Sequence, residues 1–305
     1  PRLDSVGLLF FHANDFPQAD YIQGIRDGLP DATQLLFCDT GNDPAREAQH
    51  LERIGGQVSG ILTYPTCAPA NTPLYRRLIE AGVPVVCVDR APADLSADSV
   101  VTDNFGSTRS ALQSLVARGR KRIVLLAYEE EQLNVSSTRE RRQAYAETLH
   151  EAGEDPERWV RLFPRALGHD LPRMAEAFKE MLASLLAGSE RPDALFCKDD
   201  FVLSAALEAC DRLCLPVPEE MEILSFSDYP PMNLRHTLAV HRLAQQSRHM
   251  GQLAAERLLA RCADPALTIE SLRVPAAFHP AQLTPNPSQS VPEIAIPIVR
   301  SLSAS

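Results

Sequence analysis

Short apolar runs alternate with stretches of helical spacing along most of this chain, and that alternation is what most limits its fold. Val6 to Phe11, Leu35 to Cys38, Val58 to Tyr64 and Val83 to Val88 read as strands, because each is a nearly continuous apolar run of strand length. Between them lie helices at about Ala19 to Leu29, Pro44 to Ile54 and Pro73 to Ala81. Asp43 before Pro44 and Gly55 after Ile54 mark the start and stop of the second. A short strand near Ser99, a helix and a glycine stop at Gly119 follow. The rhythm then restarts with strands at Ile123 to Ala127, Val160 to Phe163, Ala194 to Cys197 and Ile223 to Phe226. Helices from roughly Asp170 to Leu186 and from Phe201 to Arg212 separate the later ones. Strictly alternating strands and helices make a parallel sheet covered on both faces, so the expected class is α/β with two doubly wound lobes in succession.

The remaining elements are a short strand at Leu238 to Arg242, a helix from Gln246 to Cys262 and an extended piece from Leu272 to Phe278. Two lobes complete by Tyr229 have no need of a third domain, so these elements are expected to cross back and join the lobes through a hinge of several strands. The expected division is 1–118 with 244–272 for the first lobe and 119–243 with 273–284 for the second. The proline- and serine-rich stretch 285–305 reads as a flexible tail or an arm for a partner.

Composition narrows the function classes. The 305 residues are 45% apolar and 23% charged, as in a soluble globular protein, and no apolar run reaches membrane-spanning length. Neither a basic start nor a small-residue cleavage site marks the amino terminus as a secretion signal, which points to the cytoplasm. Seven cysteines with no CxxC pair read as reduced packing residues, with no metal site expected. The formal charge of −10 argues against this chain holding DNA by itself, because lysine and arginine supply that affinity by neutralising phosphates.

Ligands of open α/β sheets bind outside the carboxyl ends of the strands. Arg141, just inside the helix that follows Ile123 to Ala127, is the first candidate by that rule. Lys198, Asp199 and Asp200 close another strand. Asp200 is expected to cap the next helix, which leaves Asp199 to face a ligand. Catalysis is not expected: GxSxG, Walker A, HExxH and GxGxxG patterns are all absent, and no cofactor is implied.

In order, YIQGI at Tyr21, NDPAREAQHLERI at Asn42, GVPVVCVDR at Gly82 and SVVTDNFGSTRSALQSLVARGRKRI at Ser99 lead into TRERRQAYAETLHEAG at Thr138 and LPVPEEMEILSFSD at Leu215. Their order and spacing resemble the effector-binding core of the LacI/GalR family of transcription regulators, which has a periplasmic-binding-protein-like fold. The resemblance implies that Arg141, four residues before Tyr145, orients a ligand, as a forked guanidinium suits. It implies ligand contacts at Asp199 where the family has an amide, at Ser227 or its neighbour Asp228 where the family has an aspartate, and more weakly at His169. Asn14, Asp15 and Phe16 occupy the corresponding loop of the first lobe.

An inward carboxylate such as Asp199 favours a ligand with hydroxyl or amine donors, a sugar or polyol in preference to a sugar phosphate, while Arg141 and Lys198 leave the phosphate open; the resemblance further implies a small effector and a homodimer. Operator DNA would be held by an amino-terminal helix-turn-helix that this sequence does not contain, so a fragment is expected. The competing expectation is a periplasmic sugar receptor of an uptake transporter, which would share the fold and the hinge.

Overall fold

The computed structural model describes residues 4–11, 16–129, 135–164, 166–167, 170–231 and 236–282, with the backbone alone for 16 and 17. The first sheet holds β1 (Ser5–Phe10), β2 (Gln34–Asp39), β3 (Gly60–Thr63), β4 (Val85–Val88), β5 (Asp98–Thr102) and β11 (Ser271–Val274). The second holds β6 (Ile123–Tyr128), β7 (Val160–Phe163), β8 (Ala194–Cys197), β9 (Glu222–Phe226), β10 (Val240–Ala244) and β12 (Ala277–His279). The strand orders are β11-β5-β4-β3-β1-β2 and β12-β10-β9-β8-β6-β7. Every pairing is parallel except that of β12 with β10. Continuous apolar runs gave the strands away because the central ones are covered on both faces: β3, β4, β5, β8 and β9 are buried along their whole length.

The helices are α1 (Phe16–Gly28), α2 (Pro44–Ile54), α3 (Thr72–Glu80), α4 (Asn104–Ala117), α5 (Ser136–Glu151), α6 (Leu171–Leu186), α7 (Asp200–Arg212) and α8 (Ser247–Ala263). Asp43 caps α2 by accepting from the Ala45 N–H, with Pro44 at the first helical position.

Packing shows where the chain changes lobes. Ala111, Leu112 and Leu115 of α4 lie in one core with Ile123, Leu149 and Phe196, so the first crossing precedes α4. The expected division kept this helix with the first lobe up to 118. Chain order suggested it, but the apolar face of α4 is spent on the second sheet. Met250, Ala254 and Leu258 of α8 are buried in the first core. At the other end β11 stays in register with β5 as far as Val274 opposite Thr102, two residues past the expected break at 272. We therefore draw the lobes as 4–103 with 247–274 and 104–244 with 277–282, joined by three crossings.

Helices α1 and α8 meet very closely. A Cβ on Gly24 would come within 1.8 Å of the Arg248 carbonyl oxygen, and one on Gly251 within 2.2 Å of that of Tyr21. Only glycine allows the two backbones this approach. It presses α8, which follows the second crossing, onto the first lobe.

In each sheet the order reverses beside a strand that opens a lobe: between β1 and β3 in the first, and between β6 and β8 in the second. Such switch points leave a crevice at the carboxyl ends of the strands. The two crevices face each other across the crossings.

Candidate functional site

Arg141 sits early on α5 and is held from three sides by its own lobe. Its Nε donates to Asn104 Oδ1 at 2.8 Å, and one Nη1 hydrogen goes to the Lys198 carbonyl at 3.2 Å. The guanidinium carbon lies 3.4 Å from the centre of the Phe226 ring, so the planar fork is stacked on an aromatic face. Burial pulls its pKa down, opposed by Asp89, Tyr64 and Tyr21 of the first lobe and by Asp199. The group stays charged, since arginine does not titrate in proteins. Those three first-lobe groups thus lie within its electrostatic reach.

Of the two aspartates after β8, the first and not the expected second is the cap. Asp199 is the cap of α7: its extended backbone turns Oδ1 onto the Val202 N–H at 2.9 Å. Asp200, the first helical residue, is half-buried and pairs with the Ser227 hydroxyl. Burial drives its carboxyl up to about 6, with Asp199 adding to the rise, while Ser227 and Arg242 oppose it. The Ser227 hydroxyl also lies 2.7 Å from the Tyr229 carbonyl. One hydroxyl proton cannot fully serve both acceptors, and a protonated Asp200 would supply the second.

Asp228 is occupied at the hinge. Its Oδ1 accepts from the Gln245 backbone N–H at 2.6 Å and its Oδ2 from the Ser247 hydroxyl at 2.8 Å. It thus pins the second crossing where α8 begins. Burial raises its pKa to about 6, and Asp200 and Asp89 add to that, against the two hydrogen bonds. Of the other expected ligand residues, Asn14, Asp15 and His169 lie outside the described residues, as do the side chain of Phe16 and the tail 285–305.

Asp89, to which the sequence assigns no role, is central. It follows β4 with φ of +67°, is 4% exposed, and its Oδ1 accepts from the Tyr21 hydroxyl at 3.1 Å and from Gln245 Nε2 at 2.7 Å. Gln245 Nε2 also reaches Thr102 Oγ1 at 3.0 Å, so one side chain spans the first and second crossings. Two further contacts join the lobes. Arg273 of β11 forms a paired ion bridge to Glu140 of α5, both bonds 2.9 Å, and the Tyr229 hydroxyl bonds the Asp20 carboxylate. The signal for Asp89 was its place at a strand's carboxyl end, the same rule that picked out Arg141.

Among the described residues no group of His, Cys, Asp or Glu is arranged to hold a metal ion, and all seven cysteines are free. No helix among them is long and apolar enough to cross a membrane. The site is therefore a crevice between two α/β lobes that presents a stacked guanidinium and buried carboxylates, an arrangement suited to binding a small polar molecule.

Comparison with known proteins agrees with that class. Residues 112–280 match the periplasmic binding protein-like domain, and the chain belongs to that family; the relatives it resembles are LacI-type transcription regulators. It is 26% identical over 282 residues to the HTH-type transcriptional regulator GntR of Escherichia coli strain K12, covering 90% of this chain and 80% of GntR. It is 23% identical over 237 residues to the probable regulator EndR of Paenibacillus polymyxa, covering 75% of this chain and 64% of that protein. The chain thus spans less than two thirds of EndR. Among solved structures, a putative ribose operon repressor from Burkholderia thailandensis superposes with a TM-score of 0.74 at 21% identity, covering 91% of this chain and 99% of that one. The CelR–cellobiose complex gives 0.73 at 24%, covering 91% and 84%. A LacI-family regulator from Enterococcus faecium with bound ribose gives 0.69 at 19%, covering 92% and 100%. These relatives are regulators of transcription, not enzymes.

Proposed function

We propose that this chain is the ligand-sensing and dimerising part of a transcription regulator, which binds a small polyhydroxylated effector between its lobes and passes its presence to a DNA-binding segment. One observation carries the reading: Arg141 is fixed by Asn104, Lys198 and Phe226 of its own lobe yet has Asp89, Tyr64 and Tyr21 of the other lobe as its electrostatic neighbours. A donor fixed in one lobe and aimed at the other lets a bound molecule favour the closed arrangement, because only there do both walls touch it. The ribose and cellobiose in two structural neighbours support a sugar-like ligand.

The reading predicts that a sugar which binds also draws the lobes together. Small-angle scattering with and without ribose, cellobiose, glucose and gluconate tests this, with sedimentation at micromolar concentration reporting the dimer. A smaller radius of gyration in a dimer of constant mass is the expected result. Binding with no change in the scattering profile would count against lobe closure as the signal. The same fold could serve a periplasmic receptor, but the regulators among its relatives favour the first role.

A further inference from the structure

The residue before Arg141 on α5 reaches out of the second lobe altogether. The Glu140 carboxylate accepts two hydrogen bonds from Arg273 of β11, Nη1 to Oε2 and Nη2 to Oε1, both 2.9 Å. The Glu140 side chain is 17% exposed and that of Arg273 49%, so the carboxylate is the shielded partner. The bond to Glu140 raises the Arg273 pKa, and Asp103 adds to the rise against burial. Every other ion pair between described residues stays within one lobe, as Arg248 with Asp27 and Arg257 with Asp98 do in the first and Arg118 with Glu222 does in the second.

The bridge stands beside the pivot between the lobes. Arg273 lies opposite Val101 on the edge strand of the first sheet, one residue before β11 ends at Val274. There the three crossings are bonded to one another. The Asp103 N–H donates to the Val274 carbonyl at 2.8 Å, the Ala276 N–H to the Ser107 hydroxyl oxygen at 3.0 Å, and Gln246 Nε2 to the Pro275 carbonyl at 2.8 Å. Such bonds hold the crossings together and still leave rotation about them open. The angle is set by contacts between the rigid elements on either side. Two parallel bonds between a planar guanidinium fork and a planar carboxylate tolerate little rotation, so the bridge ties the orientation of β11 to that of α5. An exposed ion pair of looser geometry would do much less.

We propose that Glu140 and Arg273 form an ionic latch between the lobes and are positioning residues for the cleft: together they hold the part of α5 that carries Arg141 at one angle to the first lobe. This rests on the reading of the cleft as the ligand site. The latch makes affinity depend on a charge pair that makes no bond to the ligand, because apparent affinity scales with the fraction of molecules whose lobes already stand at the binding angle. It also makes that angle sensitive to salt, since the Arg273 side chain is half exposed and the pair is open to screening.

Small-angle scattering without ligand tests the latch on the wild-type chain, Glu140→Gln, Arg273→Gln and the exchanged pair Glu140→Arg with Arg273→Glu, with melting temperatures in parallel. Each single variant is expected to show a larger radius of gyration at constant mass, and the exchanged pair to return to the wild-type value. Raising salt to about 0.5 M should open the wild type and leave the single variants as they are. Single variants that melt lower with an unchanged radius make the pair a structural prop and overturn the proposal, as does a wild type indifferent to salt beside an exchanged pair that does not recover. Calorimetry with ribose, cellobiose, glucose and gluconate adds the second readout. A sugar that binds the wild type should bind each single variant about threefold to tenfold more weakly and recover with the exchange. Affinity that the single variants leave alone overturns the positioning role while the cleft reading stands. If none of the four binds, the scattering comparison decides.

Discussion

The Tyr229 hydroxyl, on the loop after β9, donates a hydrogen bond to the Asp20 carboxylate on α1, so the two lobes are tied on the side where the strand ends face each other. That bond, with burial and the negative charge of Asp20 adding to it, raises the phenol to about 12. A raised folded-state value means the contact is complete below the ordinary tyrosine range and is lost only as pH climbs through about 12. The link therefore holds at neutral pH. Tyr229→Phe should let the lobes open further, seen as a larger radius of gyration without ligand. An unchanged scattering profile would show that the contact does not restrain the lobes.

Asp200 gives the domain an acid-side stability signature. Its folded value of about 6 lies above the 3.8 of an unperturbed aspartate, so its contribution is greatest below 3.8 and is lost as pH rises through about 6. Asp228 acts in the same direction over the same range. Glu222 works the other way: burial opposes, but hydrogen bonds from His241, Arg118 and Arg120 hold it down to about 2, so its contribution is present above 4.5 and fades as pH falls toward 2. The melting temperature should therefore rise between pH 7.5 and 5 and drop well below 4. Asp200→Asn should flatten the first limb, by an amount on the order of 1–3 kcal/mol at pH 7.5. A limb of unchanged slope in that variant would remove Asp200 as its source.

The contact of α1 with α8 sets a limit on substitution. Gly24→Ala places a methyl group 1.8 Å from the Arg248 carbonyl oxygen, a backbone atom that cannot step aside alone. The helices must separate, at a cost of at least roughly 1–3 kcal/mol in urea denaturation. Gly56→Ala has open space and should cost little by comparison. Equal midpoints for the two variants would mean that the crossing is looser than the structure has it.

Much of the fold was legible in the sequence, and for a physical reason. Strands buried on both faces must be continuously apolar, so β3, β4, β6 and β8 announce themselves, and capping residues such as Asp43 mark where helices start. What could not be read was which sheet a helix packs on. Nothing within α4 says that Ala111, Leu112 and Leu115 face the second core, because that choice is made by the chain path at Thr102 to Asn104. Of the proposed site, the sequence shows the place of Arg141, early on the helix after β6, and it leaves Asp199 and Asp200 blurred. Adjacent aspartates are equal candidates for a cap, and one residue of register decides which turns onto the helix and which turns to Ser227. Asp228 was read as a ligand contact, but both of its oxygens serve Gln245 and Ser247, partners far along the chain that only the folded crossings bring near.

Arg141 is where the account can be tested most directly. Isothermal calorimetry should compare wild type with Arg141→Met, using whichever of ribose, cellobiose, glucose, gluconate and glucose 6-phosphate binds wild type most tightly. Methionine keeps an unbranched stem and removes the guanidinium, with its donors and its stack on Phe226. Affinity should fall on the order of a hundredfold, while the melting temperature without ligand falls only by what the lost bonds to Asn104 and Lys198 cost. Equal affinity for the two proteins would place the ligand away from the Arg141 wall and contradict the assignment of the cleft.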